Sequence, residues 1–261
     1  MSYTKREKAC LGIQSLLDNC AVLAACSKGS QQTEEYEVYF VPETVWYNRV
    51  HLHKAADGKL EETVAAVAAA VKDMKLPPLI SWVGSDFEEE RIAPLLREAG
   101  YINPLPVQQV MYLDLEHCAP AVPGLEIQAV PAERIDVWSD VVAAAFGKPS
   151  EKAGMRLLAG HPDCDFLMYC VDGEIVAGML LICKDGNAGI HEVGTLDSQR
   201  GKGVATAMIN RALMLAREKG CTCATLQASP MGAPLYAKLG FETVDRVSTW
   251  MLLPPDAHIP G

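Results

Sequence analysis

The segment that most restricts how this chain can fold is Arg200-Gly201-Lys202-Gly203-Val204-Ala205, placed between a strand-like run, Ile190 to Leu196, and a long amphipathic stretch, Gly203 to Lys219. The first N–H groups of a helix lack intrahelical partners and stand at the positive end of the helix dipole. Glycine has no Cβ, so Gly201 and Gly203 let an anion approach those groups, while Arg200 and Lys202 bring positive charge nearby. The segment reads as a cradle for a diphosphate. It is not a Walker A loop, because Leu196 stands at the first glycine position and Gly203, not Ser or Thr, follows Lys202. It is not the dinucleotide fingerprint G-x-G-x-x-G either, because Thr206 stands where the third glycine belongs.

The surrounding pattern predicts strand Leu125 to Val130, helix Glu133 to Phe146, a short helix around Glu151 to Ala159 and strand Phe166 to Val171. Asp172-Gly173 then marks a tight hairpin, strand Ile175 to Cys183 follows, and Lys184-Asp185-Gly186-Asn187 turns the chain into the run that ends at Leu196. Gly220 ends the long helix. Beyond it lie strand Thr222 to Ala228, a helix from Pro230 to Leu239 with Ser229 as cap, and two strands within Phe241 to Leu253. Hairpin-linked strands ahead of a strand-helix-strand unit imply an α/β fold on a mixed sheet.

Upstream, Gln108 to Leu115 gives way to a stretch with two prolines and a glycine, Pro120 to Gly124, which sustains neither helix nor ladder. This divides the chain into an N-terminal unit, 1–118, and a C-terminal unit, 124–261. A weak repeat at a constant offset of 140 residues links them: Leu95 to Tyr101 mirrors Leu235 to Phe241, and Met111 mirrors Met251. Leu96 occupies the position of Tyr236, and no counterpart of Arg200 to Gly203 precedes the alanine-rich helix Glu61 to Lys72. At the start of the chain, basic residues precede a stretch ending Leu23-Ala24-Ala25-Cys26, which mimics a secretion signal. Gln14, Ser15, Asp18 and Asn19 interrupt it, and the spacing of Ile13, Leu16, Leu17, Cys20, Leu23 and Ala24 is that of a packed amphipathic helix.

The loop and the segments C-terminal to it resemble the GCN5-related N-acetyltransferase (GNAT) superfamily. Its pyrophosphate loop, Q/R-x-x-G-x-G/A, is matched by Arg200, Gly203 and Ala205, and its Y-x-x-x-G-F signature by Tyr236, Gly240 and Phe241. The resemblance covers Leu125 to Leu253 and implies the GNAT acyl-CoA N-acyltransferase fold, here as a tandem whose N-terminal half is degenerate. It also implies acetyl-CoA as acyl donor. Backbone amides from Gly201 to Ala205, Val204 included, would hold the pyrophosphate, and Val193, Gly194 and Thr195 would line the pantetheine, with the N–H near Val193 facing the acyl carbonyl. Tyr236 would be the acid for the departing thiolate. Many relatives carry Asn where Ser229 stands, often touching the cofactor.

The base is read from His191 or Glu192. Strand alternation turns them to opposite faces, with His191 sharing its face with Val193. A glutamate used by other relatives corresponds to Gly189. No metal is expected: Cys221-x-Cys223 and His51-x-His53 lack further ligands at metal spacing and read as strand faces. Nine cysteines without a paired framework fit a reducing, cytoplasmic setting. A net charge of −10 disfavours nucleic acid and, taken alone, favours a cationic amine. The expected activity is acetyl transfer to a small-molecule amine by direct attack, with a non-catalytic acyl-CoA sensor as the alternative, no membrane partner, and room for a homodimer.

Overall fold

The computed structural model describes residues 3–27, 29–44, 46–53, 59–71, 79–83, 86–117 and 124–252. The first part of the chain runs α1 (Lys5–Ser27), β1 (Ser30–Gln32), β2 (Tyr36–Tyr39), β3 (Arg49–Leu52), α2 (Leu60–Val71), β4 (Leu79–Val83), α3 (Asp86–Glu98) and β5 (Gln108–Asp114). The second runs β6 (Gln128–Ala129), α4 (Ile135–Phe146), α5 (Lys152–Leu158), β7 (Cys164–Val171), β8 (Glu174–Lys184), β9 (Asn187–Thr195), α6 (Val204–Glu218), β10 (Cys223–Ala228), α7 (Ala233–Lys238) and β11 (Glu242–Met251).

Local chemistry accounts for much of this. Asp172-Gly173 and Asp185-Gly186 both take positive φ at two successive residues, the geometry of two-residue turns whose twist matches antiparallel strands, and they join β7 to β8 and β8 to β9. Gly220, at φ 81°, ends α6. The strand expected at Leu125 to Val130 shrinks to β6, two residues long, and the two strands expected after Phe241 are one strand, β11, irregular between Thr243 and Asp245. The helix expected from Pro230 begins at Ala233: the Ser229 hydroxyl and carbonyl accept from the Gly232 N–H, and Gly232 is the cap residue. The linker residues 118–123 lie outside the described residues.

All described strands form one sheet in the order β1-β2-β3-β4-β11-β5-β10-β9-β8-β7-β6. Only β3/β4 and β9/β10 are parallel, each joined by a crossover helix, α2 and α6. The sequence strand-strand-strand-helix-strand-helix-strand thus occurs twice with the same pairing senses. The last strands are exchanged: β5 pairs with β10, β11 pairs with β4, and β5 and β11 pair with each other at the centre. The offset of 140 residues is reproduced in backbone detail. Gly100 and Gly240 take φ of 86° and 95°, and the Tyr101 N–H donates to Leu96 O at 2.8 Å as the Phe241 N–H does to Tyr236 O at 3.0 Å.

Helices cover the sheet on both faces. On one, α1, α4 and α5 bury Val110, Trp138, Met155 and Leu180; on the other, α6 and α7 bury Met208, Leu226 and Tyr236; α2 and α3 bury Val50, Val67, Ile80 and Leu96. Residues Lys5–Cys26 are long and apolar enough to cross a membrane. Here α1 lies against the sheet, with Ile13, Leu17, Cys20, Leu23 and Ala24 buried as the spacing predicts. A Cβ at Gly12 would stand 2.3 Å from Val110 Cγ1, so the helix backbone rides directly on β5. Polar ties fix its register: Gln227 Nε2 donates to Gly12 O at 2.8 Å, Asn187 Nδ2 to Leu11 O at 3.0 Å, and Lys184 pairs with Asp18 at 2.8 Å.

Candidate active site

The loop between β9 and α6 has the open geometry its glycines suggest. Gly201 and Gly203 take φ of 75° and 79°, a region costly for other residues, and a Cβ at either would meet no protein atom within 4 Å. Gly203 is the cap residue of α6, no side chain caps the helix, and its first turn holds no acidic residue. No side chain therefore caps the start of α6, and the two glycines leave open space beside it. Arg200 is engaged by the loop itself: Nε donates to Thr195 O at 3.2 Å, Nη2 to Ala145 O at 2.8 Å, and Nη1 pairs with Asp197 at 2.8 Å. It clamps the loop to the end of α4. Lys202, exposed, bonds Gln199 Oε1 at 3.0 Å.

Next to the loop the parallel pair opens. β9 and β10 are paired from Asn187↔Cys223 to Ile190↔Leu226, after which β9 continues to Thr195 with no partner on that side. A bulge falls at the start of this gap. Gly178 faces Gly194 and Leu180 faces His191, so Glu192 and Val193 both stand opposite Met179, and Glu192 takes φ 53°. The bulge cancels one step of alternation and overturns the expected side-chain directions. His191 and Glu192 turn to the same face, the one covered by α1 and α4, while Val193 packs with the α6 core on the other.

His191 is buried against α1, its Nε2 3.2 Å from Ser15 Oγ, and burial pushes its pKa down to about 4. The imidazole is neutral at physiological pH. Gly189 leaves room for this contact, since a Cβ there would stand 2.2 Å from Ser15 Oγ and 2.6 Å from His191 Nε2. Glu192 is held by Lys148, whose Nζ lies 2.8 and 2.9 Å from its two oxygens, and by the Tyr47 hydroxyl, which donates to Oε1 at 3.1 Å. Burial raises its pKa, but the Lys148 charge and the two hydrogen-bond donors outweigh burial and hold it below the ordinary carboxylate value. Tyr47, pushed well above its ordinary range by burial and then by Glu192, stays a hydrogen-bond donor. Lys148 Nζ also stands 5.4 Å from the centre of the Trp46 ring and 5.3 Å from that of Phe146.

Tyr236 lies on the opposite face, in α7. Its ring meets Phe241 edge-on at 6.0 Å and passes close under Gly232, where a Cβ would come within 3.1 Å. Burial pushes its pKa up to about 12, so the hydroxyl keeps its proton. Ser229, exposed at the end of β10, is occupied by the Gly232 N–H. The candidate residues thus divide between the two faces of the sheet, Tyr236 on the α6 and α7 side and His191 with Glu192 on the α1 and α4 side. Lys148, Tyr47 and Ser15 were not anticipated from sequence; two of them come from the first part of the chain.

A sequence model described as the acetyltransferase (GNAT) family matches residues 135–241. Residues 135–241 carry a GNAT-family acetyltransferase domain. Among solved structures it is similar to a GCN5-related N-acetyltransferase from Kribbella flavida, at 19% identity over 95% of this chain and 98% of that one, with a TM-score of 0.68. Another GCN5-related N-acetyltransferase, from Sphaerobacter thermophilus, gives 19% identity over 90% and 92%, with a TM-score of 0.60. At these identities the likeness is one of fold, and it extends over nearly the whole chain, including the part before residue 124. No curated protein matches the sequence.

Proposed function

We propose that this protein is an N-acetyltransferase that moves an acetyl or similarly short acyl group from acetyl-CoA to the amine of a small molecule within a ternary complex. The observation that carries the reading is the uncapped glycine turn at the start of α6, opening directly beside the gap between β9 and β10. Amides from Gly201 to Ala205 suit a pyrophosphate, and the gap suits the pantetheine arm, lined by Val193 to Thr195. The N–H of Val193, taken out of regular register by the bulge, is assigned to the acyl oxygen, where it stabilises the tetrahedral oxyanion. Tyr236, still protonated, is assigned as acid for the thiolate, and Glu192 or His191 as acceptor of the amine proton, directly or through water. Donor and acceptor then approach from opposite faces.

The first part of the chain, in this reading, is a degenerate acyltransferase-like unit without cofactor chemistry that walls the acceptor side through Ser15 and Tyr47. Residues 54–58, where its own loop would fall, lie outside the described residues. The free state of the described cysteines supports a cytoplasmic setting. One observation favours the alternative, a non-catalytic acyl-CoA sensor: Lys148 pairs with Glu192 and weakens it as a base. Calorimetry with acetyl-CoA on the full chain tests the reading. One site per chain is expected, lost in Gly203→Glu, which puts bulk and negative charge against the diphosphate; no binding to the folded wild type would refute it.

A further inference from the structure

Arg49, at the start of β3, is 8% exposed. Arginine is rarely buried without an acidic partner, yet among the described residues Arg49 forms no ion pair. Its Nη2 donates a long hydrogen bond, 3.4 Å, to Trp46 O, and its Nε is buried with no acceptor. Withdrawing a guanidinium from water without an anion to receive its protons is strongly unfavourable, so a site that keeps one is arranged for an anion that arrives from outside.

The surroundings say which site. Trp46, whose carbonyl Arg49 touches, carries Lys148 over its ring, and the next residue, Tyr47, holds Glu192. The Arg49 charge reaches His191 and His51. Asn19, one turn along α1 from the Ser15 that meets His191, has a buried Oδ1 with no donor. Two unsatisfied polar groups therefore lie on the His191 and Glu192 side of the sheet. Lys148 and Glu192 pair with each other and His191 is neutral; the buried Glu151 accepts from the Trp46 N–H at 3.0 Å, and Arg49 Nε is left with no acceptor.

We propose that Arg49 receives the carboxylate of the acceptor, so that the substrate class is an amine that also carries a carboxylate, an amino acid or a close relative. For the reaction this rests on the acyl-transfer reading above; for binding it stands alone. The net charge of −10 taken alone points to a cationic acceptor, but surface charge is screened beyond roughly 8 Å at physiological salt, and a buried charge beside the ligand outweighs it. Asn19 Oδ1, which has no donor, is placed to accept a hydrogen bond from the same molecule.

The test uses the full chain with L-amino acids and the corresponding amino-acid amides, which differ only in the carboxylate. Saturation-transfer NMR on the wild type should show binding of acids and not of amides. Arg49→Gln should weaken acid binding roughly ten- to a hundredfold, the size of a lost charged hydrogen-bonding pair, and Arg49→Lys less. With acetyl-CoA present and CoA release as the readout, the KM for acids should rise in Arg49→Gln while kcat changes little. Equal binding of acids and amides, no acid binding at all, or a fall in kcat at unchanged KM overturns the proposal. Should Arg49→Gln fail to fold, the comparison of acids with amides on the wild type decides. Loss of acetyl-CoA binding in calorimetry, with acids still bound through Arg49, would overturn the acyl-transfer reading alone.

Discussion

At the scale of single residues the site is organised by what burial does to each ionisable group. Tyr236 is kept protonated by burial, so its hydroxyl holds the proton that the proposed acid role requires. We expect Tyr236→Phe to lower turnover roughly ten- to a thousandfold with acetyl-CoA affinity nearly unchanged, because an acid acts chiefly in the transition state. Unchanged kcat would reduce Tyr236 to packing against Phe241. His191 and His51 are both pushed down to about 4 by burial, against an ordinary value of 6.5. Between those values the unfolded chain takes up protons that the folded chain refuses, so stability is full above about pH 6.5 and is lost as pH falls toward 4, by up to 1.36 kcal/mol per unit of displacement for each group. Denaturant melts should show this slope, and His191→Asn should flatten it; a slope unaltered by that substitution would show that His191 does not contribute.

At the scale of elements, α1 is held by close contact more than by bulk. Gly12→Ala places a methyl group where Val110 already stands, and we expect a loss of about 1–3 kcal/mol from overpacking, measurable as a lower denaturation midpoint at unchanged m-value. A midpoint equal to wild type would mean that α1 lifts freely from β5. The elements from β7 to β10 were legible in the sequence because their signals are local: Asp172-Gly173 and Asp185-Gly186 set the hairpins, the glycines after Arg200 open α6 and Gly220 closes it. The bulge at Glu192 was not legible, since nothing in the run His191-Glu192-Val193 distinguishes a left-handed residue from a regular one, and strand alternation therefore misplaced both base candidates. Lys148 and Tyr47 were hidden for another reason. They reach Glu192 from 44 and 145 positions away in the chain, a meeting created by tertiary packing alone. Arg49 and His51 did leave a trace, two polar residues alternating with Val50 and Leu52 in a strand whose other face is core.

At the scale of the whole molecule, the exchanged strands make the two parts of the chain depend on each other. A fragment starting at Gly124 would keep the family's matched segment, but β11 would lose both of its neighbours, β4 and β5, β10 would lose β5, and the face under α1 would be bare. We expect that fragment to be unfolded or aggregated in circular dichroism and sedimentation, and to become soluble when co-expressed with residues 1–123. A cooperatively melting, monomeric fragment would contradict this. The glycine turn before α6 and the segment around Trp46 and Tyr47 are therefore one stability unit, and substitutions in that segment should register in the same unfolding transition as those in α6.

The exchange of β5 and β11 also bears on the order of events during synthesis. β4 and α3 emerge early, but the strand that completes their side of the sheet is β11, the last in chain order. Until it arrives, the nascent chain carries open strand edges of the kind that pair with whatever is at hand. Two copies refolding side by side can close those edges on each other, because β11 of one molecule meets the same hydrogen-bond pattern on β4 of its neighbour. Intertwined dimers that form during concentrated refolding and never by mixing native monomers are the signature this topology would leave.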